Sequence, residues 1–303
     1  MNKLAFHYCS VDTFFSIITN KTLRLSDVVK SNDNLEVMWT KKVLLDMIKK
    51  EDSLYEYFSD EIKAEISLCR FKEKMEEKAN SFFERKEIKS KFFAICFSGP
   101  ESEDKLSQWR GYGDDGRGIA IGFSEKILRN TQKTIVINKS DEPRIEYNEV
   151  EYRREKQEDI LKEFWKEQIR IANCDIKDFV VDFETWLIES FYKLYWKAIF
   201  MKNPFFEEEN ERRIVLEIQN CQSAPQKCEL LRNKIQIREA QVTIRNGNII
   251  EYYDLDISKL SNDLIQKIIL GPKCKIDQED VKMLLKKCGY KDVVVEWSGG
   301  SYR

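Results

Sequence analysis

The sequence predicts an α+β fold, in which a mixed, largely antiparallel sheet forms the core and two long helical insertions interrupt it. Short apolar or alternating runs, which are typical of strands, recur from Leu4 to Trp297. Two long segments, 35–90 and 154–202, are dense in charged and apolar residues, and the first contains neither glycine nor proline. We therefore expect residues 1–303 to form one domain that includes both helical insertions.

Composition and charge narrow the classes of function. Charged residues make up 34% of the chain, yet the net charge is only −2, which provides no general attraction to nucleic acid or to anionic membranes. No apolar run approaches the ~20 residues of a membrane span, and the N-terminus lacks a signal-peptide pattern. The sequence thus predicts no membrane partner and carries no signal for nucleic acid.

The cysteines and the single histidine restrict the chemistry further. The 8 cysteines are scattered and form no CxxC pair, so we expect reduced thiols and a cytoplasmic protein. Because the chain has 1 histidine, His7, neither a Cys/His zinc site nor a multi-histidine metal centre is expected. We predict no metal, and acid–base chemistry that does not use His7 falls to carboxylates, lysine or tyrosine.

The N-terminal elements follow from alternation and capping. Leu4 to Cys9 alternate between two faces, which predicts a strand with His7 on the face opposite Phe6. Ser10 and Asp12 are both candidate N-caps for an amphipathic helix over residues 13–19. Residues 23–26 then form a brief strand.

The first helical insertion begins after a turn cluster at residues 31–34. We expect two or three helices over 35–90, with breaks near residues 52–53 and 69–72. We interpret their charged faces as solvated surface, because no periodic stripe of Lys and Arg residues indicates binding to nucleic acid.

The central stretch, residues 91–123, is the predicted centre of the fold. A buried strand over 92–97 precedes a turn-rich helix that carries Trp109 and Tyr112, and a second buried strand over 117–123 follows. Small residues in this second strand allow a backbone or a ligand to approach closely. The two aromatic residues are therefore candidates for a pocket wall; the alternative is that they fill the core.

The C-terminal part of the chain adds more strands around the second helical block. Strands are expected at 134–138 and 145–152, and a strand from about Glu211 follows the helices, whose last part, 183–200, is apolar on most faces. For residues 205–213 the alternative is a helix end with surface ion pairs. The last quarter is predicted to contain strands at 234–239, 242–245, 249–255, 264–270 and 292–297, with a hairpin turn at Asn246-Gly247 and a helix at 278–287 that Asp277 caps and Gly289 ends.

Short motifs along nearly the whole chain occur in a characteristic order. They are His7-Tyr8 with Ser10, residues 23–26, Asn32-Asp33 with Glu36, residues 96–98, Trp109 and Tyr112 before 118–123, Lys202 with Glu209, Glu211 and Arg213, residues 268–272, and residues 298–303. In this order they resemble the bacterial family called domain of unknown function 2971 (DUF2971). Asn34 stands where the family typically has proline, which affects the local turn. Membership names no activity, but the similarity of some members' neighbourhoods to phage defence implies an effector or a sensor.

The order of three further residues resembles ADP-ribosyltransferase folds. Those enzymes place a histidine on the first strand, an aromatic residue near a middle strand and a glutamate on a later strand; here they are His7, Tyr112 or Trp109, and Glu211 or Glu209. The resemblance implies that the histidine holds a ribose of NAD, the aromatic ring stacks on nicotinamide, and the glutamate stabilises an oxocarbenium-like centre. The candidate catalytic residues are His7, Tyr112 and Glu211, and the candidate cofactor-binding residues are Ser10, Arg24, Trp109, Arg110, Glu209 and Arg213.

Three classes of function remain open at this point. The first is an NAD-using enzyme, a transferase or a glycohydrolase, for which NAD is the substrate and Arg24 or Arg110 binds the pyrophosphate. The second is a non-catalytic module that binds a small nucleotide or a protein partner and signals by shape. A metal-dependent nuclease comes last, because the acidic-x-Lys pairing of such enzymes is not evident. In any of these classes, Arg213 is expected to pair with a buried or half-buried carboxylate, and His7 has the alternative of a purely structural hydrogen bond.

Overall fold

The computed structural model describes residues 3–28, 34–50, 54–83, 90–130, 144–218, 228–230, 235–245 and 247–300. The chain divides into two compact units, which we describe separately. The sheet unit comprises Met1–Ser31, Lys89–Glu149 and Glu208–Arg303, and the helical unit comprises Asn32–Ile88 and Val150–Glu207. The helical unit thus combines the two segments that the sequence marks as insertions.

The helices and strands are numbered in chain order. The helices are α1 (Val11–Asn20), α2 (Asn34–Lys50), α3 (Asp60–Glu65), α4 (Leu68–Phe83), α5 (Leu106–Gly111), α6 (Glu125–Asn130), α7 (Arg154–Cys174), α8 (Ile176–Val181), α9 (Phe183–Ala198) and α10 (Gln278–Lys287). The strands are β1 (Leu4–Cys9), β2 (Thr22–Asp27), β3 (Lys91–Ser98), β4 (Ile119–Ser124), β5 (Arg144–Glu149), β6 (Glu211–Ile218), β7 (Cys228–Leu230), β8 (Ile235–Ile237), β9 (Gln241–Arg245), β10 (Asn248–Asp256), β11 (Ile265–Leu270) and β12 (Val294–Trp297).

Within the described residues, these strands form one mixed sheet, so the predicted α+β class is confirmed. The main order is β12-β11-β4-β1-β3-β2-β10-β8-β7, with β6 beside β3, β5 beside β6 and β9 beside β10. The β11–β12 pair is parallel and the other pairs are antiparallel. A mixed, largely antiparallel sheet is the arrangement that the sequence predicted.

The sheet forks at β3. Strand β6 pairs with β3 along its whole length, from Lys91 to Ser98, and therefore occupies one edge completely. Both β1 and β2 must use the other edge, where β1 pairs at Ser98 and β2 pairs at Ala94 and Phe93. Between these positions β1 and β2 diverge, and a cleft opens beside the middle of β3.

One face of the strands forms the main apolar core of the sheet unit. Alternation along β1 sends Ala5 and Cys9 into this core, and the buried faces of α1 and α10 cover it. A smaller cluster lies on the other face. Its members are Phe6, Tyr8, Trp109, Ala120 and Ile269. The two faces of β1 predicted from its alternating pattern are therefore both buried, but in different clusters.

Local capping explains where the two ten-residue helices begin and end. Ser10 Oγ accepts a hydrogen bond from the Thr13 amide at 3.2 Å, so Ser10, one of the two N-cap candidates, caps α1, which begins at Val11 rather than at residue 13. Asp277 caps α10 in the same way through the Glu279 amide at 2.7 Å. Gly289 follows α10 with φ of +84°, which is the left-handed conformation that favours glycine at this position.

One of the helix breaks predicted from the sequence is wrong. Helix α4 runs without interruption through residues 69–72, because Phe71 and Met75 belong to its continuous buried face. The chain instead breaks at Ile66–Ser67, where Ser67 Oγ accepts a hydrogen bond from the Arg70 amide at the start of α4. The predicted strand at 134–138, the turn residues 31–33 and Asn246 lie outside the described residues.

An aromatic cluster and one buried glutamine hold the helical unit together. Phe58 contacts Phe71, Phe179 and Trp186, with ring centroids 5.3, 5.5 and 6.1 Å apart, so residues from both insertions share one core. Gln157 accepts a hydrogen bond from Trp39 Nε1 and donates to the carbonyl oxygens of Glu151 and Lys202. Among the described helices, none combines the length and the apolar character that crossing a membrane requires.

Candidate functional site

The fork of the sheet contains a cavity of about 1020 Å³. Its walls are the end of β1, the polar face of α1, strand β2, strands β9 and β10, and the segment after α5 that carries Tyr112; Ile95 of β3 lies at the base. Ligand cavities in proteins usually measure roughly 300–1,000 Å³, so this one can hold a ligand as large as a dinucleotide.

His7 lies where β1 separates from β3. Its Nδ1 lies 2.9 Å from the carbonyl oxygen of Cys96, and because a carbonyl only accepts, Nδ1 carries the hydrogen. The ring also contacts Phe97 edge-on, at 5.8 Å between centroids. Burial lowers the pKa of His7, and the bond to Cys96 opposes this effect only in part. The neutral ring therefore keeps Nε2 as an acceptor for a ligand hydroxyl.

We expect the His7 imidazole to titrate below pH 6.5 in the folded protein and near pH 6.5 in the unfolded chain. Between the folded and the unfolded pKa of His7, the unfolded state binds more protons than the folded state. The contribution of His7 to the free energy of unfolding is therefore complete above pH 6.5 and decreases as the pH falls toward the folded pKa. Imidazole proton NMR of tag-free protein reports this site alone, because the chain has 1 histidine. A His7→Gln variant should lack this contribution to the pH slope. A folded-state midpoint at or above 6.5 would contradict the prediction.

Arg24 and Tyr252 form a second feature of the cavity wall. The Arg24 guanidinium lies over the Tyr252 ring, 3.8 Å from its centroid, and Asp254 lies opposite Arg24 in the register of β2 and β10. Within the described residues, no protein acceptor binds the N–H groups of Arg24. Burial raises the pKa of Asp254, and the charges of Arg24 and Arg238 partly offset that rise. The stacked guanidinium can thus bind an anionic group of a ligand through its edge.

Tyr112 and Ser10 complete the set of predicted residues at the cavity. Tyr112 follows α5, is 51% exposed, and donates a hydrogen bond from its hydroxyl to Glu209 Oε1 at 3.1 Å. Ser10 lines the cavity as the N-cap of α1, and its hydroxyl also donates to Thr13 Oγ1 at 3.0 Å. Glu209 is therefore connected to the cavity through Tyr112.

Trp109 and Arg110 do not belong to the described cavity lining. Trp109 is 1% exposed, packs edge-on against Tyr8 at 4.8 Å, and donates from Nε1 to Asp104 Oδ1 at 2.8 Å. The alternative that Trp109 fills the core is thus confirmed for this residue, whereas Tyr112 is exposed at the cavity. Arg110 is an exposed residue of α5 outside the lining. Neither residue is retained in the candidate ligand set.

Glu211 and Arg213 form a buried ion pair. Both carboxylate oxygens of Glu211 are used, because Arg213 donates from Nε at 3.0 Å and from Nη2 at 2.7 Å. The exposed fractions are 6% for Glu211 and 2% for Arg213. The prediction that Arg213 pairs with a buried carboxylate is confirmed, and β6 begins at Glu211 as expected rather than continuing a helix.

The structure does not bring Glu211 and His7 to the same face of the sheet. Glu211 lies opposite Ser98 across β3, and Ser98 lies opposite Phe6 of β1, so Glu211 shares a face with Phe6. His7 is the next residue along β1 and points to the other face. Two strand spacings, about 10 Å, separate the backbones of β1 and β6. Glu211 is absent from the described lining, and its predicted catalytic role stays a prediction.

Several described residues of the lining were missed by the sequence reasoning. They are Asp12 and Asn20 on α1, Arg238 after β8, and Tyr252 and Asp254 on β10. The alternation of β10 indicates that Tyr252 and Asp254 share a face, but only the long-range pairing of β10 with β2 places that face beside Arg24. No motif signalled these positions.

Comparison with known proteins identifies a family and no individual relative. No curated protein and no solved structure gives a significant match to the chain. Residues 108–214 match the model of the family described as "Protein of unknown function (DUF2971)". This region contains Tyr112, Glu209 and the buried Glu211–Arg213 pair, whereas His7 and Arg24 precede it. Over residues 108–214 the chain is therefore similar to the DUF2971 family, the family that its motifs resemble.

Proposed function

We propose that the cavity in the fork binds NAD and that the chain is an NAD-using effector, either an ADP-ribosyltransferase-like enzyme or an NAD glycohydrolase. One observation carries this proposal. His7, Ser10, Arg24 and Tyr112, four residues chosen from the sequence for NAD chemistry, line a single cavity of about 1020 Å³. His7 and Arg24 come from different strands, and Tyr112 follows a helix more than 80 residues later in the chain. The fold therefore brings these residues together.

The geometry suggests a role for each of these residues. The Nε2 atom of neutral His7 accepts a hydrogen bond from a ribose hydroxyl, because Nδ1 is held by Cys96. The exposed ring of Tyr112 offers a surface on which nicotinamide can stack. Arg24, held flat on Tyr252, binds the pyrophosphate. Ser10 fixes the start of α1 and thereby the polar helix face along the cavity.

Cleavage requires stabilisation of positive charge on the ribose. The bond between the ribose carbon and the nicotinamide nitrogen breaks, nicotinamide leaves with the electron pair, and water or an acceptor group adds to the carbon. A carboxylate near this carbon stabilises the oxocarbenium-like centre. Glu209 is the candidate with a described connection to the cavity, through its 3.1 Å contact with Tyr112. Glu211, the carboxylate favoured by sequence, is engaged by Arg213.

A second function is a non-catalytic sensor module that binds a nucleotide or a protein partner. The observation that favours it is the occupation of both Glu211 oxygens by Arg213, which is typical of a structural ion pair. In such a module the same cavity binds the ligand and no bond is broken. A role in phage defence is proposed for either function on the basis of the family resemblance. A cytoplasmic location is also proposed, supported by the free state of the six cysteines whose side chains are described.

We expect purified protein mixed with NAD to show a raised melting temperature and to release nicotinamide. His7→Ala and Arg24→Ala should each lower NAD affinity by about tenfold, because each removes one polar contact worth roughly 1–1.5 kcal/mol. Lys282→Ala, on the exposed face of α10, is a suitable control. Isothermal titration measures the affinities, and chromatography of released nicotinamide measures turnover.

The outcomes separate the two functions. Binding that both cavity variants weaken, together with nicotinamide release, supports the enzyme. Binding without release from wild-type protein supports the sensor module. The absence of both binding and a melting-temperature shift at saturating NAD would contradict the proposed ligand.

A further inference from the structure

Helix α1 runs along the cavity, and charges of opposite sign line the cavity near its two ends. Asp12 in its first turn and Asn20 at its last residue both line the cavity, with Ser16 between them. At 1.5 Å per residue, Asp12 and Asn20 are about 12 Å apart along the helix axis. Phe14, Ile17 and Ile18 of α1 are buried in the core, so the polar stripe of the helix is available to a ligand over this length.

The Asp12 end of the cavity is acidic and aromatic. Asp12 is exposed, and within the described residues its carboxylate has no cationic partner. Tyr112 and Asp114 come from the segment after α5 and line the same cavity. Asp114 forms an ion pair with Arg117 at 3.0 Å, which offsets its charge. Asp12 therefore supplies a negative charge without a described cationic partner to the cavity that Tyr112 also lines.

The Asn20 end contains two guanidinium groups. Arg238 donates from Nη2 to the carbonyl oxygen of Asn20 at 3.3 Å and to Asp256 at 3.1 Å. Arg24 lies on Tyr252 at the same side of the cavity, and Asp254 lies opposite it in the β2–β10 register. Because Arg238 is already paired with Asp256, Arg24 is the guanidinium available to an anionic group.

We propose that the cavity selects a ligand with a positively charged ring at the Asp12 end and an anionic diphosphate at the Arg24 end. This inference rests on the proposed function and specifies the form of the ligand. Oxidised NAD carries a cationic nicotinamide ring and reduced NAD carries a neutral one, so Asp12 discriminates between the two forms. Its carboxylate attracts the oxidised ring and gives no such attraction to the reduced ring.

The charge balance of the cavity also disfavours ligands that are only anionic. Three carboxylates, those of Asp12, Asp114 and Asp254, face the cavity together with two guanidinium groups. A nucleoside triphosphate carries phosphate charge without a compensating cation and meets like charge at the Asp12 end. A ligand with separated charges of both signs matches this arrangement better.

The test measures the affinities of oxidised NAD, reduced NAD and ATP for wild-type protein and for Asp12→Asn by isothermal titration. We expect wild-type protein to bind oxidised NAD about fivefold more tightly than reduced NAD. In Asp12→Asn this preference should fall close to one. Nicotinamide release is followed in the same samples, so that any consumption of oxidised NAD is corrected for.

Asp280→Asn is the matched control. Asp280 is an exposed carboxylate in the first turn of α10, which like α1 has 10 residues, but it is not part of the described cavity lining. This variant removes a similar interaction with the helix dipole and should retain the wild-type preference. Equal affinity of the wild type for both forms, or an unchanged preference in Asp12→Asn, would overturn this inference and leave the proposed function intact. Failure of every NAD form to bind would instead contradict the proposed function.

Discussion

Replacement of Arg213 by alanine is expected to lower the free energy of unfolding by about 3–5 kcal/mol. Arg213 is 2% exposed and donates two hydrogen bonds to Glu211, which is itself 6% exposed. Removal of the guanidinium leaves the Glu211 carboxylate buried without its counter-ion, and the cost of that uncompensated charge dominates the loss. Urea denaturation of the wild type and the variant measures the difference.

The helical unit offers a matched control for this prediction. Arg170 binds Glu167 through Nε and Nη2 at 2.8 and 2.7 Å, the same two-point geometry, but both side chains are exposed. Arg170→Ala should leave the unfolding midpoint almost unchanged, because solvent screens an exposed pair. A similar loss of stability in Arg213→Ala and Arg170→Ala would contradict the prediction that burial of the Glu211–Arg213 pair causes the large effect.

Replacement of both partners separates the structural from the catalytic interpretation of Glu211. In the double variant Glu211→Met and Arg213→Met, both charges of the pair are removed, so stability should return toward the wild-type value. If the pair is only structural, this variant also retains the melting-temperature shift caused by NAD. If the double variant folds but its melting temperature no longer shifts with NAD, the result would support a role of Glu211 in binding NAD.

Local sequence patterns predicted the elements well because each pattern has a local physical cause. The alternation of Leu4–Cys9 predicted both faces of β1, and Ser10, one of the two candidate N-caps, is the cap of α1. Asp277 and Gly289 predicted both ends of α10 in the same way. The break expected at 69–72 was wrong, because α4 begins at Leu68, directly after Ser67, and residues 69–72 lie within its first turns.

Local sequence patterns could not predict the fork of the sheet or the cavity in it. Strands β1 and β2 use opposite ends of one edge of β3, and this pairing joins residues more than 60 positions apart. The same limit applies to the aromatic residues. Trp109 and Tyr112 are three residues apart, but Trp109 is buried and donates to the half-buried Asp104, whereas Tyr112 lies beyond the end of α5 and is exposed. Only tertiary contacts distinguish the core residue from the cavity residue.

Gly118→Ala is the second change from which we expect a large effect. A Cβ atom at this position would lie 2.1 Å from the carbonyl oxygen of Cys9 and 2.9 Å from that of Gly113. Both atoms belong to the backbone, so no side chain can rotate away, and β1 or the segment before β4 must move. Overpacking of this kind costs typically 1–3 kcal/mol and at times more, and here we expect about 3 kcal/mol. Thermal and urea denaturation measure the loss.

Because Cys9 and Ser10 line the cavity, a shift of β1 away from Gly118 should also weaken NAD binding in the Gly118→Ala protein that remains folded. Gly299→Ala tests whether an added methyl group alone has this effect, because Gly299 lies outside the described cavity lining. A Cβ at Gly299 would lie 3.7 Å from Asp104 Oδ2, an ordinary contact distance, so stability should be nearly unchanged. Loss of stability in Gly118→Ala without loss of NAD binding would show that the cavity tolerates movement of β1, and would place the ligand nearer to β2 and β10. Loss of both would show that the close approach of β1 and β4 holds the fork in the shape that the ligand requires.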